Sequence, residues 1–164
     1  MSTSTISIAE QLKGQSFIDP GMISSALDYW FSDNEHIRSP FPESIRKKLA
    51  EDATLAMIKW AAPITDAAKK EFNEEMIAER FEEILFEIAY NMVTDEDQKI
   101  TIKYPFMPRV GDVITKKDSV ESSSADGIIL KRKTEKRGDH VFLIVEHAEE
   151  GNGTIMLDEF ELPE

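Results

Sequence analysis

The side chains of this 164-residue chain best suited to chemistry are three histidines, His36, His140 and His147, and 32 acidic residues. Metal ligation would need them at fixed spacings, and none of the histidines forms an HxxxH, HExxH or Glu-x-x-His pair. His140 and His147 stand seven residues apart at the two ends of one expected strand, a separation that places them on opposite faces. The run Thr94-Asp95-Glu96-Asp97 lacks the glycine and the ligand spacing of a calcium loop. With no cysteine, disulfides, thiolate metal sites and cysteine nucleophiles are excluded. There is no Gly-x-Ser-x-Gly elbow, no phosphate-binding Gly-x-x-x-x-Gly-Lys loop and no Gly-x-Gly-x-x-Gly turn. Paired carboxylates can cleave glycosides, but the abundance of acids singles out no pair. The expectation is no metal, no cofactor and no nameable catalytic residue, which favours a binding protein over an enzyme.

The remaining chemistry is that of charge. The formal net charge is −13, but its distribution is uneven. Residues 1–97 carry 9 bases and 19 acids, residues 98–140 carry 10 bases and 6 acids, and residues 141–164 carry 7 acids and no base. Two clusters stand out as partner-binding candidates. Glu75, Glu79, Glu83 and Glu87 recur every four residues, with Glu82 beside them and Arg80 the one base among them. On a helix they form one stripe, either a solvated outer face or an acidic surface for a basic partner. Lys131, Arg132, Lys133, Lys136 and Arg137, with Lys116 and Lys117 nearby in sequence, surround an expected hairpin turn. Such a tip either guards a strand edge or docks an anionic partner. Nucleic-acid binding would be helped by exposed aromatics for stacking, and Tyr104 and Phe106, the candidates, read more readily as core.

The elements that must position these residues fall into two parts. Before residue 97 apolar residues recur at helical spacing. Ser7 and Glu10 have capping-box spacing, and Gly14 ends that short helix. Asp19-Pro20 opens a second, with Ile23, Ala26, Leu27, Trp30 and Phe31 on one face. Residues 33–42 read as a loop. A third helix presents Ile45, Leu49, Ala53, Ala56, Met57 and Trp60 and stops at Pro63. Thr65 then caps a long fourth helix to about Val93, with Phe72, Met76, Ile77, Phe81, Ile84, Leu85, Ile88 and Met92 facing the core. Thr94 to Asp97 closes it.

The second part reads as strands. Ile100, Ile102 and Tyr104 alternate with polar residues. Val110, Val113 and Ile114 flank Gly111-Asp112, and Ser119 to Asp126 is a polar loop. Ile128 to Leu130, His140 to Glu146 and Thr154 to Leu157 are strands, separated by a charged turn over Thr134 to Asp139 and a turn at Gly151-Asn152-Gly153. The tail from Asp158 either frays or packs through Phe160 and Leu162.

The expected fold is α+β: residues 1–97 form a helical part of three to four helices, packed on a small antiparallel β module of residues 98–164 with the turn spacing of an SH3-like barrel. The sequence shows neither a secretory leader nor an apolar run of membrane-spanning length, so a cytoplasmic location and no membrane partner are expected. The expected function is a non-catalytic adaptor, assembly or inhibitor protein that docks another protein, one with a basic surface, through charge-segregated surfaces. Two alternatives are an acidic mimic of nucleic acid that inhibits a DNA- or RNA-binding protein, and a weak nucleic-acid binder using the basic hairpin.

Overall fold

The computed structural model describes residues 8–14, 16–114, 127–149, 151 and 153–163. The chain divides into two compact units, Met1–Thr94 and Asp95–Glu164.

The first unit is helical. Its elements are α1 (Ile8–Gln11), α2 (Pro20–Trp30), a 3-10 turn (Glu43–Ile45), α3 (Arg46–Ala61), α4 (Asp66–Lys69) and α5 (Glu74–Met92). Ser7, the expected cap of α1, lies outside the described residues. The start of α2 follows from its sequence: Asp19 accepts from the Gly21 N–H at 2.9 Å, and Pro20 occupies the first turn, where no helical N–H is needed. Leu49, Ala53, Met57 and Ala61 are the buried stripe of α3, and they pack against α5, which buries Phe81, Ile84, Leu85 and Ala89.

One expected helix is two. Thr65 does cap a helix, its hydroxyl accepting from the Ala68 N–H at 3.2 Å, but α4 ends at Lys69. Asn73 starts α5 afresh by accepting from the Met76 N–H at 2.8 Å. An Asn that can bond backbone two or three residues ahead competes with a continuous helix at that point. Phe72 therefore lies between the helices rather than on a helical core face. There it meets Phe17 and Trp60 edge-on, with ring centroids 5.6 and 5.5 Å apart. Met76, the third residue of α5, is exposed.

The second unit opens with a helix where a strand was expected. Residues Glu96–Lys103 form α6. Asp95 accepts from the Gln98 N–H at 3.0 Å, Glu96 and Asp97 sit in the positive first turn, and Lys103 sits in the last. The acidic cluster expected to close a helix thus begins one. Ile100 and Ile102, read as alternating strand residues, are both buried helical ones.

Four strands follow: β1 (Val113–Ile114), β2 (Gly127–Arg137), β3 (His140–Glu149) and β4 (Ile155–Glu161), paired antiparallel in the order β1-β2-β3-β4 as a curled half-barrel. Strand β2 runs to Arg137, so the basic cluster lies on a strand rather than around a turn. The turn is Gly138-Asp139 alone. Gly138 has φ +62° and Asp139 is not in the left-handed region, the arrangement of a two-residue type II′ hairpin. Strand β4 is longer than expected, and the tail packs: the Leu162 N–H donates to the Val141 carbonyl at 2.8 Å. The core on the inner face joins Ile100, Ile114, Ile129, Leu143, Val145 and Leu162, with Tyr104 and Met107 against it. Phe106, expected in the core, is 77% exposed.

Strand β2 carries a bulge. Ile129 pairs with His147 and Lys131 with Glu146, leaving Leu130 as an extra residue. Beyond it the inward set changes parity, so Ile129 and Arg132 face the core while Lys131 and Lys133 face outward.

Candidate functional site

The basic cluster is divided by this alternation. Arg132 has a fully buried side chain. Its Nε donates to Asp97 Oδ1 at 2.6 Å, one terminal nitrogen donates to the Pro108 carbonyl at 2.8 Å, and the other to the Asp97 carbonyl at 2.9 Å, Asp97 Oδ2 at 3.3 Å and the Thr101 hydroxyl. A planar guanidinium with each of its three nitrogens donating to α6 or the loop after it is a clasp between α6 and β2. It presents nothing to a partner.

Arg137 is exposed but engaged. It donates to both carboxylate oxygens of Glu159 across the sheet, at 2.6 and 2.9 Å, and to Glu135 at 3.0 Å, and it lies 5.0 Å over the Phe142 ring. These hydrogen bonds hold the guanidinium charged and hold the Glu159 carboxyl below the usual carboxylate range. Beside them His140 Nδ1 lies 2.7 Å from Glu161. Lys131 and Lys133 are exposed on the outer face; Lys136 is exposed on the other face. Lys116 and Lys117 lie outside the described residues. The strand that looked uniformly basic therefore shares its outer face with Glu135, Glu146, Glu159 and Glu161.

The acidic stripe forms on α5 as expected. Glu75, Glu79, Glu83 and Glu87 are exposed and Glu82 is half-buried. Arg80 bonds Glu83 at 2.7 Å and lies 5.8 Å over the Trp60 ring. Glu79, Glu82, Glu83 and Phe86 outline a shallow depression.

His147 and Asp158 make the closest approach to a catalytic constellation. They share the inner face, where His147 Nε2 and Asp158 Oδ2 are 2.6 Å apart. The imidazole is wholly buried and the carboxylate 5% exposed. A histidine oriented by a carboxylate is the base half of a hydrolytic triad. Here the nitrogen left over, Nδ1, has no partner among the described residues and faces the backbone of Gly127 so closely that a Cβ there would overlap it. With no path for a reacting group, the pair acts as a buried polar crosslink between β3 and β4. Among the described residues no group of three or more His, Asp or Glu could hold a metal ion.

What the sequence does not reveal is the outer face of the sheet. Pairing puts Val113 opposite Ile128, Ile128 opposite Ala148, and Ala148 opposite Ile155, one apolar row across all four strands. Val113, Ile128 and Ile155 are 56%, 47% and 55% exposed, and Leu130 and Leu157 beside them 47% and 63%. Adjacent strands are about 4.8 Å apart, so the row alone is about 15 Å wide. The next rows become charged: Lys131, Glu146 and Leu157, then Lys133, Ile144 and Glu159. A trough of 380 Å³ floored by Ile144 separates the two lysines from Leu157 and Glu159. Comparison with protein-family models, with curated proteins and with solved structures gave no match. The geometry alone thus carries the functional reading. An alternating Val, Ile or Leu is usually a core residue, so only strand register could have revealed these as neighbours on an uncovered face.

Proposed function

We propose that this chain is a non-catalytic docking protein and that the outer face of its β-sheet is the surface that docks. The observation that carries the reading is the row Val113–Ile128–Ala148–Ile155, extended by Leu130 and Leu157 and left open to solvent. Contiguous exposed apolar surface rimmed by charge costs solubility, and its common use is contact with another protein. The charged rows beside it supply orientation and steering. On this reading the partner meets apolar surface first and charge of both signs at the rim.

The nucleic-acid-binding reading has less behind it. Of the five described bases on β2, Arg132 is buried, Arg137 is held by Glu159 and Glu135, and acids share the outer face with Lys131 and Lys133, which leaves Lys136 by itself on the other face. A polyanion would meet both signs there. The acidic face of α5 keeps the mimic of nucleic acid as the second reading, resting on Glu75, Glu79, Glu83 and Glu87 alone.

The test is capture from an extract of the source cell by the immobilised full chain, beside an Ile128→Lys, Ile155→Lys double variant. Both positions are solvent-exposed, and circular dichroism checks that the fold is retained. The expected result is partner bound by the parent chain and lost at least tenfold by the variant. Equal capture by both chains contradicts the reading, and loss on Glu79→Gln, Glu83→Gln instead moves the surface to α5.

A further inference from the structure

The sheet also has an open edge, and we infer that β4 takes up an extended segment of another protein as a fifth, antiparallel strand. The inference goes beyond the docking reading of the outer face, because it rests on backbone groups rather than on the apolar row. In the order β1-β2-β3-β4 no described strand pairs with the far side of β4. The Glu149 N–H donates to the Thr154 carbonyl and the Leu162 N–H to the Val141 carbonyl, both at 2.8 Å, and these two bonds set the phase of the ladder. Met156, Asp158 and Phe160 then exchange bonds with β3, while Ile155, Leu157, Glu159 and Glu161 aim their N–H and C=O groups away from it. Among the described residues no backbone group meets them. Such a row is a template for one more strand.

Sheet edges are commonly guarded by lysine, proline, a bulge or shortness. The opposite edge is guarded in this way: β1 has two residues, and the length of β2 beyond it carries Lys131, Lys133 and Lys136. Strand β4 has seven residues, no lysine, no proline and an unbroken register with β3. Its inward charge, Asp158, is bound to His147 at 2.6 Å. The side chains along this edge are also incompletely covered. On the inner face Met156 and Phe160 are only half-buried, Phe160 against the core. On the outer face Ile155 and Leu157 are exposed. A strand beside β4 covers both pairs. Charge then specifies the occupant. Strand β4 carries Asp158, Glu159 and Glu161 and no base, so a second copy's β4 offers these acids no opposite charge in any register. Arg137 and His140 reach Glu159 and Glu161 from β2 and β3, which leaves the side away from β3 for a base on the added strand. The complementary segment is basic opposite Glu161 and Glu159 and apolar opposite Phe160, Leu157, Met156 and Ile155. Running antiparallel to β4, it reads base-apolar-base-x-apolar-apolar-apolar, with x opposite Asp158.

The test titrates the isotope-labelled full chain with the end-blocked peptide Lys-Val-Arg-Thr-Val-Val-Val and follows backbone amide shifts. The expected result is saturable change centred on Ile155 to Glu161, with affinity at least tenfold lower for Leu157→Pro and within about twofold of the parent for Leu157→Val. Proline at position 157 removes an N–H aimed at the open edge and none from the β3 ladder, and the thermal midpoint checks that the ladder stands. N-methylation of the peptide gives a readout that leaves the chain untouched. Methyl groups on its third and fifth amides, which face β4, should abolish binding; methyl groups on its fourth and sixth, which face away, should not. Absence of binding, shifts centred away from β4, equal binding by Leu157→Pro, or equal loss from the two methylated peptides overturns the inference. Ile128→Lys, two strands away, should leave peptide binding unchanged, and loss of binding there also overturns the edge as the site. The docking reading of the outer face is scored separately, by whether partner capture depends on Ile128, so either can fail while the other stands.

Discussion

Arg132 is where a single residue most changes the reading of the chain. In sequence it belongs to a basic run; in space its side chain is wholly buried against Asp97, Pro108 and Thr101. The reason is the bulge at Leu130, which reverses the inward parity of β2 and which nothing in the run Ile128 to Lys133 announces. A buried guanidinium left without its carboxylate costs more than an apolar side chain in the same place. Asp97→Ala is therefore expected to destabilise the second unit by about 2 kcal/mol, since Asp97 is itself partly exposed and supplies the charge-assisted bonds. Arg132→Met, which removes the charge as well, should cost less, and urea unfolding of the two variants compares them. Gly127 gives a second residue-level test. A methyl group there would overlap His147 Nδ1 and lie 2.9 Å from the Ala148 carbonyl. Gly127→Ala should destabilise by about 1–3 kcal/mol, the usual cost of overpacking; a midpoint equal to the parent's in the same denaturant series would show that the His147 ring is not packed against that backbone.

At the scale of elements, the start of helix α2 was legible to the residue because Asp19-Pro20 is a start signal of two independent kinds, whereas its end falls at Trp30, one residue before the Phe31 that the apolar spacing included. The buried stripe of α3 was legible because Leu49, Ala53 and Met57 keep a helical period over a long stretch. The helix break at Asn73 and the helix α6 were not. In both places one cap residue, Asn73 or Asp95, outweighed the surrounding pattern: Phe72 to Met92 reads as unbroken helix, and Ile100-Thr101-Ile102-Lys103-Tyr104 alternates as a strand would. Alternation over five residues is too short to separate a strand from a helix bearing two isoleucines. The cap is itself testable: Asn73→Ala should lower stability by about 1 kcal/mol, measured as a shift in the thermal midpoint, and no shift would show that α5 continues without it. The crosslink over β3 gives a pH dependence. Glu159 titrates below an ordinary glutamate because Arg137 bonds its carboxylate, so the folded chain keeps it ionised to lower pH than the unfolded chain does. Its contribution is complete above the ordinary glutamate value of about 4.3 and is lost as pH falls below it toward the folded value. Glu159→Gln should reduce the stability difference between pH 6 and pH 3, read from thermal midpoints at the two values; an unchanged difference would remove this pair from the acid response. Exposure keeps the effect small.

At the scale of the molecule, an α+β organisation and the segregation of charge along the chain were both readable from composition and periodicity. What charge does in three dimensions was not. Five of the ten bases in residues 98–140 stand on β2, whose outer face is shared with acids drawn from β3 and β4, sequence segments that looked purely acidic. Pairing across strands is non-local, and a one-residue slip would have turned every one of these side chains to the other face. The same pairing assembles Val113, Ile128, Ala148 and Ile155, residues separated by up to 42 positions, into one row. Among the described residues no helix is long and apolar enough to cross a membrane.

The claim that this face docks protein is tested most directly by placing a photo-cross-linking residue at Ile155, on the row, and separately at Glu79, on the acidic face of α5, and irradiating cells that make each full chain. The account predicts protein adducts from position 155, whether to a second copy or to another chain, abolished by Ile128→Lys, with few from position 79. Adducts from position 79 and none from position 155 would contradict it.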